Sequence, residues 1–357
     1  MTGTGRIAVI LFNLGGPDRL SAVRPFLFNL FNDPAILGLP MPVRPALAWL
    51  LASRRAGPAT EIYRQLGGAS PLLDNTLAQA RALEAALAGP PGLGAQFRTF
   101  VAMRYWHPFA REVVKAVKVF DPERILLLPL YPQWSTTTTA SSFRAWRQAC
   151  RRIGLDRPTS SVCCYPVEPG FVTAIATLIR ERLPQAALHG RPRVLFSAHG
   201  LPRRVIDRGD PYQWQCEQTA AAIAAAVGSP DLEWVNCYQS RVGPLEWIGP
   251  ATDAEITRAG RDRRPVLVVP IAFVSEHSET LVELDIEYRG LAERCGVPAY
   301  LRVPTVGVTP TFIDGLATLI RTTVAKAGRA MPAAGEAACP PIAPGCGWRS
   351  EAMQKGR

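Results

Sequence analysis

Glu279, Glu283 and Glu287 recur every fourth residue within Ser275-Glu-His-Ser-Glu-Thr-Leu-Val-Glu-Leu-Asp-Ile-Glu-Tyr288. On a helix that spacing lays three carboxylates along one face, where like charges repel. No Lys or Arg occurs from Ser275 to Tyr288, and Glu276 and Asp285 add to the negative field. The plain reading is a solvated acidic face. The chemical reading is a set of partly buried carboxylates with raised pKa values, able to pass protons near neutral pH or to bind a hard divalent cation. In front of them an apolar run, 266–274, is broken at Pro270. It reads as a buried strand that delivers the first helical turn to a strand C-terminus, where α/β folds build their sites. A proton or metal-ion relay starting at Glu279 is the hypothesis that follows.

Three further side chains could join it. Leu195-Phe-Ser-Ala-His199-Gly-Leu-Pro places His199 at the end of an apolar strand and before Gly200. A histidine there is either structural or, as a neutral imidazole, a metal ligand or proton acceptor. His277 stands two residues before Glu279 and could orient it or share a proton with it, both pointing the same way if the junction is extended. Trp247 lies in a turn-rich loop with no evident core to fill. It either caps a neighbouring helix or stacks on a planar ligand.

The elements that must carry these residues alternate. Strands are expected at 7–14, 97–103, 125–130, 160–164, 194–198, 234–237, 266–273 and 300–302, with helices in the gaps, one of them over 280–294. Such alternation predicts an α/β fold with parallel sheets flanked by helices. A faint repeat refines it: Ile10-Leu-Phe-Asn-Leu-Gly-Gly-Pro17 echoes Leu195-Phe-Ser-Ala-His-Gly-Leu-Pro202, and Leu127-Leu-Pro-Leu-Tyr-Pro-Gln-Trp-Ser-Thr136 echoes Val268-Val-Pro-Ile-Ala-Phe-Val-Ser-Glu-His277. Each half is then a four-stranded unit whose first and last strands run into the site, with a cleft between the halves. The expected domains are 1–165 and 166–328, followed by a disordered Ala-, Pro- and Gly-rich tail over 329–357. The first half carries an insertion at about 26–71, apolar groups broken by prolines and including Arg54 and Arg55. It reads either as core packing or as an amphipathic lip for a flat apolar ligand or a bilayer surface.

Composition limits the remaining choices. A hydrophobic fraction of 48% with 19% charged residues describes a soluble globular protein, and 357 residues allow two ordinary α/β domains. The formal charge of +11 favours anionic partners. No helix-turn-helix, zinc-finger or RNP pattern accompanies it, so nucleic acid is not expected. Asn13-Leu-Gly-Gly-Pro and Leu66-Gly-Gly-Ala-Ser-Pro are neither a dinucleotide fingerprint nor a Walker sequence. No GxSxG elbow supports covalent hydrolysis. Eight irregularly spaced cysteines suggest reduced thiols. Neither a secretory leader nor an apolar run of the ~18 residues needed to span a bilayer is seen, so a cytoplasmic protein is expected, at most peripheral on the inner membrane through the lip at 26–55.

Taken together, Asn13-Leu-Gly-Gly-Pro17, Tyr131-Pro-Gln-Trp-Ser-Thr-Thr-Thr-Thr139, Phe196-Ser-Ala-His-Gly-Leu-Pro202, Gly209-Asp-Pro-Tyr212, Tyr238-Gln-Ser-Arg-Val-Gly-Pro244, Trp247-Ile-Gly-Pro250 and Ser275 to Tyr288 resemble the ferrochelatase family, in the expected order from about residue 6 to 325. The match is to the protoporphyrin-using branch of proteobacteria and mitochondria. The resemblance implies two similar Rossmann-like domains without nucleotide, and insertion of ferrous iron into protoporphyrin IX in the cleft. It implies His199 and Glu279 as the metal pair, Glu283 and Glu287 as the carboxylates behind them, and Trp247 as a porphyrin-facing aromatic. Arg55, Tyr63 and Ser70 match porphyrin-contacting positions, and Leu14 holds the strand tip facing the macrocycle, where some members have Met. His277 joins them as a substrate-side residue.

Some members hold a 2Fe–2S cluster through four cysteines. Here Thr136 stands at the interior position, and the tail has only Cys339 and Cys346, with Cys163 and Cys164 as an alternative set. A cluster is therefore not expected, and no cofactor is required because ferrous iron is a substrate. The oligomeric state is left open. Competing readings are a tetrapyrrole chelatase of other specificity and a non-catalytic haem or porphyrin carrier, which would need no acidic ladder.

Overall fold

A computed structural model describes residues 5–88, 95–241, 243–326, 344 and 346. Eight strands are present among them: β1 (Arg6–Asn13), β2 (Gln96–Met103), β3 (Arg124–Pro129), β4 (Thr159–Ser161), β5 (Arg193–His199), β6 (Glu233–Gln239), β7 (Val266–Pro270) and β8 (Tyr300–Arg302). They form two four-stranded sheets, ordered β2-β1-β3-β4 and β6-β5-β7-β8, and every pairing is parallel. The two sheets thus have one topology, which is the structural content of the sequence echo. The echoed strands, β1 with β3 and β5 with β7, are neighbours at the centre of each sheet rather than its first and last strands. Central strands are covered by helices on both faces, so they are the most uniformly apolar and the easiest to recognise as repeats.

The chain divides into two compact units, one taking residues up to Cys163 together with Leu316 onward in the final helix, Pro310–Ala325, the other beginning at Cys164 and including that helix as far as Gly315. The sequence had assigned residues up to 328 to the second domain. The end of the helix groups with the first unit, where Arg321 donates from Nη2 to the Ala86 carbonyl at 2.8 Å. Of the tail expected at 329–357, only Pro344 and Cys346 are described, and Cys339 lies outside the described residues.

In the second unit Leu195, Cys237, Ile256, Val266, Val268 and Leu284 pack with no measurable exposure. Each such aliphatic side chain contributes roughly 1.5–3 kcal/mol relative to solvent exposure. The insertion at 26–71 is mostly helical, with Val23–Phe31 packed on Val43–Gln65. The core-packing reading holds for part of the segment, while other apolar residues in it are exposed. Phe26, Leu27, Ala52 and Tyr63 are core, whereas Met41, Val43 and Trp49 are 66, 53 and 56% exposed.

Candidate active site

Parallel sheets in the order β6-β5-β7-β8 change winding direction between β5 and β7, and ligand sites of open α/β sheets form beyond the carboxyl ends of such a pair. His199 is the last residue of β5. Gly200 follows it, and its N–H donates to the Gln239 carbonyl at 2.8 Å. A Cβ at residue 200 would lie 2.8 Å from that oxygen and 3.3 Å from the Trp247 ring. β7 ends at Pro270, short of the expected 273, and the Ile271 amide bonds the Ser197 carbonyl at 3.0 Å. The chain then leaves the sheet as a loop that leads to the acidic segment.

That segment is not the expected α-helix. Glu279–Glu287 forms a π-helix, followed by α-helix over Tyr288–Arg294. Such wide turns, with i→i+5 bonding, are rare and frequent at functional sites. Glu279 and Glu283 are half-buried and enter one cluster, while Glu287 is exposed and takes no part in its hydrogen bonding. His199 Nδ1 lies 2.8 Å from Glu279 Oε2. Glu283 accepts from the Ser240 amide at 2.8 Å, from Ser240 Oγ at 2.5 Å, from Gln239 Nε2 at 3.1 Å and from the Tyr288 hydroxyl at 3.1 Å. Ser240 has φ 61°, a left-handed conformation costly for a non-glycine residue, and in it both the amide and the hydroxyl reach the same carboxylate.

Electrostatics separate the roles. Burial lowers the His199 pKa, but the Glu279 carboxylate beside it and, farther off, Glu283 outweigh this and hold it above its ordinary value. Burial acts upward on Glu279, yet the His199 charge and hydrogen bond bring its carboxyl down to about 2. Each thus favours the charged form of the other. Glu283 moves the other way, raised by burial and by the charge of Glu279. His277 is buried, its Nδ1 3.1 Å from the Ser275 carbonyl and its Nε2 4.0 Å from Glu279 Oε2, and burial lowers its pKa. It packs on Phe273 in the loop, in place of the extended junction expected.

The sequence found no counter-ion for the acidic run, and the structure supplies one from elsewhere. Arg302, at the end of β8, pairs with Glu276 at 2.9 Å and with Asp285 at 2.6 Å. Glu276 and Asp285 are thereby tied to one guanidinium, which offsets part of their charge. A partner in another strand leaves no local trace in sequence.

Trp247 is half-buried, bridges Pro202 antiparallel and packs against Gly200, next to His199. Its indole Nε1 is buried without a hydrogen-bond partner. The other expected substrate residues belong to the first unit. Leu14, just past the tip of β1, and Tyr63 lie in one apolar cluster with Val23, Phe26 and Tyr105. Ser70 packs against Gly16 and donates its amide to the Pro17 carbonyl at 2.8 Å. Arg55 is exposed on the helix Val43–Gln65. Sequence reasoning missed Gln239, Ser240, Tyr288 and Arg302. The available signal was Gln239-Ser240 before a turn-rich loop; β6 runs two residues beyond the expected 237 and puts Gln239 at its tip. Among the described residues no group of three or more His, Cys, Asp and Glu is arranged to hold a metal ion.

The fold is shared with SirB from Bacillus subtilis, solved with Fe3+, at a TM-score of 0.54 and 12% identity over 90% of this chain and 96% of that one. DR2241 from Deinococcus radiodurans aligns at 0.51 and 14% identity, over 89% of this chain and 55% of that one. Fold and strand-tip site together define an α/β protein of chelatase architecture, two Rossmann-like units each with a four-stranded parallel sheet. The ferrochelatase family model matches residues 6–324. A ferrochelatase from Caulobacter vibrioides is 53% identical over 347 residues, 97% of this chain and 95% of that protein, and one from Phenylobacterium zucineum is 55% identical over 314, 87% and 90% respectively. The chain belongs to the ferrochelatase family, and it is a metal-inserting lyase of haem formation.

Proposed function

We propose that this family member inserts ferrous iron into protoporphyrin IX, forming protohaem and releasing two protons. The observation that carries the proposal is the 2.8 Å contact of His199 Nδ1 with Glu279 Oε2 at the tip of β5, with Glu283 held beside it by Ser240 and Gln239. Metallation strips two pyrrole protons, so a base must meet the ring and carboxylates must carry the protons away. With Nδ1 occupied by Glu279, Nε2 of His199 is the nitrogen left to the substrate. Glu283, raised by burial and by its charged neighbour, is suited to accept the proton next, and exposed Glu287 to release it. His199 and Glu279 are also the pair that would ligate incoming iron.

Leu14, Arg55, Tyr63, Ser70, Trp247 and His277 are proposed on the porphyrin side: arginine and serine for the propionates, apolar groups for a grip that bends the flat ring and exposes its nitrogen lone pairs. No resident cofactor enters this scheme, and iron and sulfide analysis of the purified protein tests that. Contact with the inner membrane is supported by exposed Leu39, Met41, Val43, Trp49 and Leu50; among the described residues no helix is long and apolar enough to cross a bilayer. Anaerobic incubation with ferrous iron and protoporphyrin IX is the decisive experiment. Catalytic loss of porphyrin fluorescence is expected, whereas a stoichiometric change that then stops would make the protein a carrier.

A further inference from the structure

We infer that Arg302 is a positioning residue of this site, one that takes Glu276 and Asp285 out of competition with Glu279 and Glu283. The inference rests on the metal-insertion reading. Arg302 enters from β8, opposite Val268 of β7, and only 9% of its side chain is exposed. Its Nε and Nη2 reach Asp285 at 2.8 and 2.6 Å, and its Nη1 reaches both oxygens of Glu276 at 2.9 and 3.1 Å. The Thr305 amide adds a bond to Glu276 Oε1 at 2.9 Å. Glu276 lies three residues before Glu279 and Asp285 two after Glu283, so one guanidinium brackets the reactive stretch. A planar fork can hold two carboxylates in fixed directions at once, which the single ammonium of a lysine cannot.

The acids thus fall into two kinds. Glu276 and Asp285 are ion-paired to arginine and spent on structure. Glu279 is held by His199, and Glu283 by the neutral donors Ser240, Gln239 and Tyr288, which orient a carboxylate without bringing a positive charge. Without Arg302, two half-buried carboxylates would face a vacated space and make a rival oxygen site for a hard dication.

The test compares the full chain with Arg302→Gln, and with Arg302→Gln, Glu276→Gln and Asp285→Asn combined. Ferrous-iron and protoporphyrin kinetics are measured anaerobically, and Mn2+ binding is counted by EPR. For Arg302→Gln the iron KM is expected to rise roughly tenfold with the porphyrin KM little changed, and one additional Mn2+ should bind. The combined variant should lose the additional Mn2+ and recover an iron KM within about threefold of the parent. A parental iron KM with no added Mn2+ in Arg302→Gln overturns the inference, as does a combined variant impaired as badly as the single one. Should the single variant not fold, the combined variant decides by the same iron KM criterion. A parent chain unable to metallate porphyrin would count against the insertion reading instead, and the Mn2+ comparison would still judge Arg302.

Discussion

His199 is held above its ordinary pKa by the carboxylates of Glu279 and Glu283, which lie 80 and 84 positions away in sequence. Its raised pKa means that a neutral base becomes available only as pH climbs through that raised value, so the acidic limb of kcat/KM is expected above 6.5. An NMR titration of the imidazole checks the cause: Glu279→Gln removes the charge and leaves the burial, and the midpoint should fall below the parent's. The sign for stability follows from the same pair. Because His199 titrates higher in the fold, its contribution is complete below the ordinary imidazole range and is lost as pH rises through the raised value. Glu279, held at about 2, contributes above its ordinary 4.5 and loses that contribution as pH falls toward 2. His199→Ala and Glu279→Ala should each lower kcat by roughly 10²–10⁴-fold, with far-UV circular dichroism unchanged. Parental turnover in both would remove the catalytic assignment.

The strand tip, the π-helix and the loop before it have to agree in position for these side chains to meet. Gly200 is where that agreement is tightest, since an added methyl would press on the Gln239 carbonyl oxygen, which is backbone and cannot swing aside. Gly200→Ala is expected to cost about 1–3 kcal/mol of stability by overpacking, and to reduce turnover by moving His199. Chemical denaturation and steady-state rates measure the two effects separately. The central strands β1, β3, β5 and β7 were legible because buried parallel strands carry apolar runs. The stop at Pro270 and the π-helical pitch of Glu279–Glu287 were not. A four-residue acidic period fits α- and π-helix alike; which one forms depends on anchors such as the Tyr300 hydroxyl, which donates to the Leu284 carbonyl at 2.7 Å.

Across the whole molecule, two sheets of one topology carry different chemistry at equivalent tips: apolar Leu14 follows Asn13 at the end of β1, whereas His199 closes β5. The first unit also exposes apolar side chains, among them Met41, Val43 and Trp49. Met41→Ser with Trp49→Ser should weaken co-sedimentation with anionic vesicles several-fold and leave the melting temperature within about 1 °C, because solvent-facing substitutions change stability little. Undiminished vesicle binding would dissociate this surface from membrane contact.

Apolar patterning and turn residues by themselves determined the central strands, the doubled architecture and the arrival of His199 at a strand end, because burial is encoded residue by residue along the chain. Only the tertiary structure decided which acids an arginine ties down. Arg302 holds Glu276 and Asp285, and Ser240 with Gln239 orients Glu283. Electrostatic partnership is a matter of a few ångströms through space, and sequence separation says nothing about it.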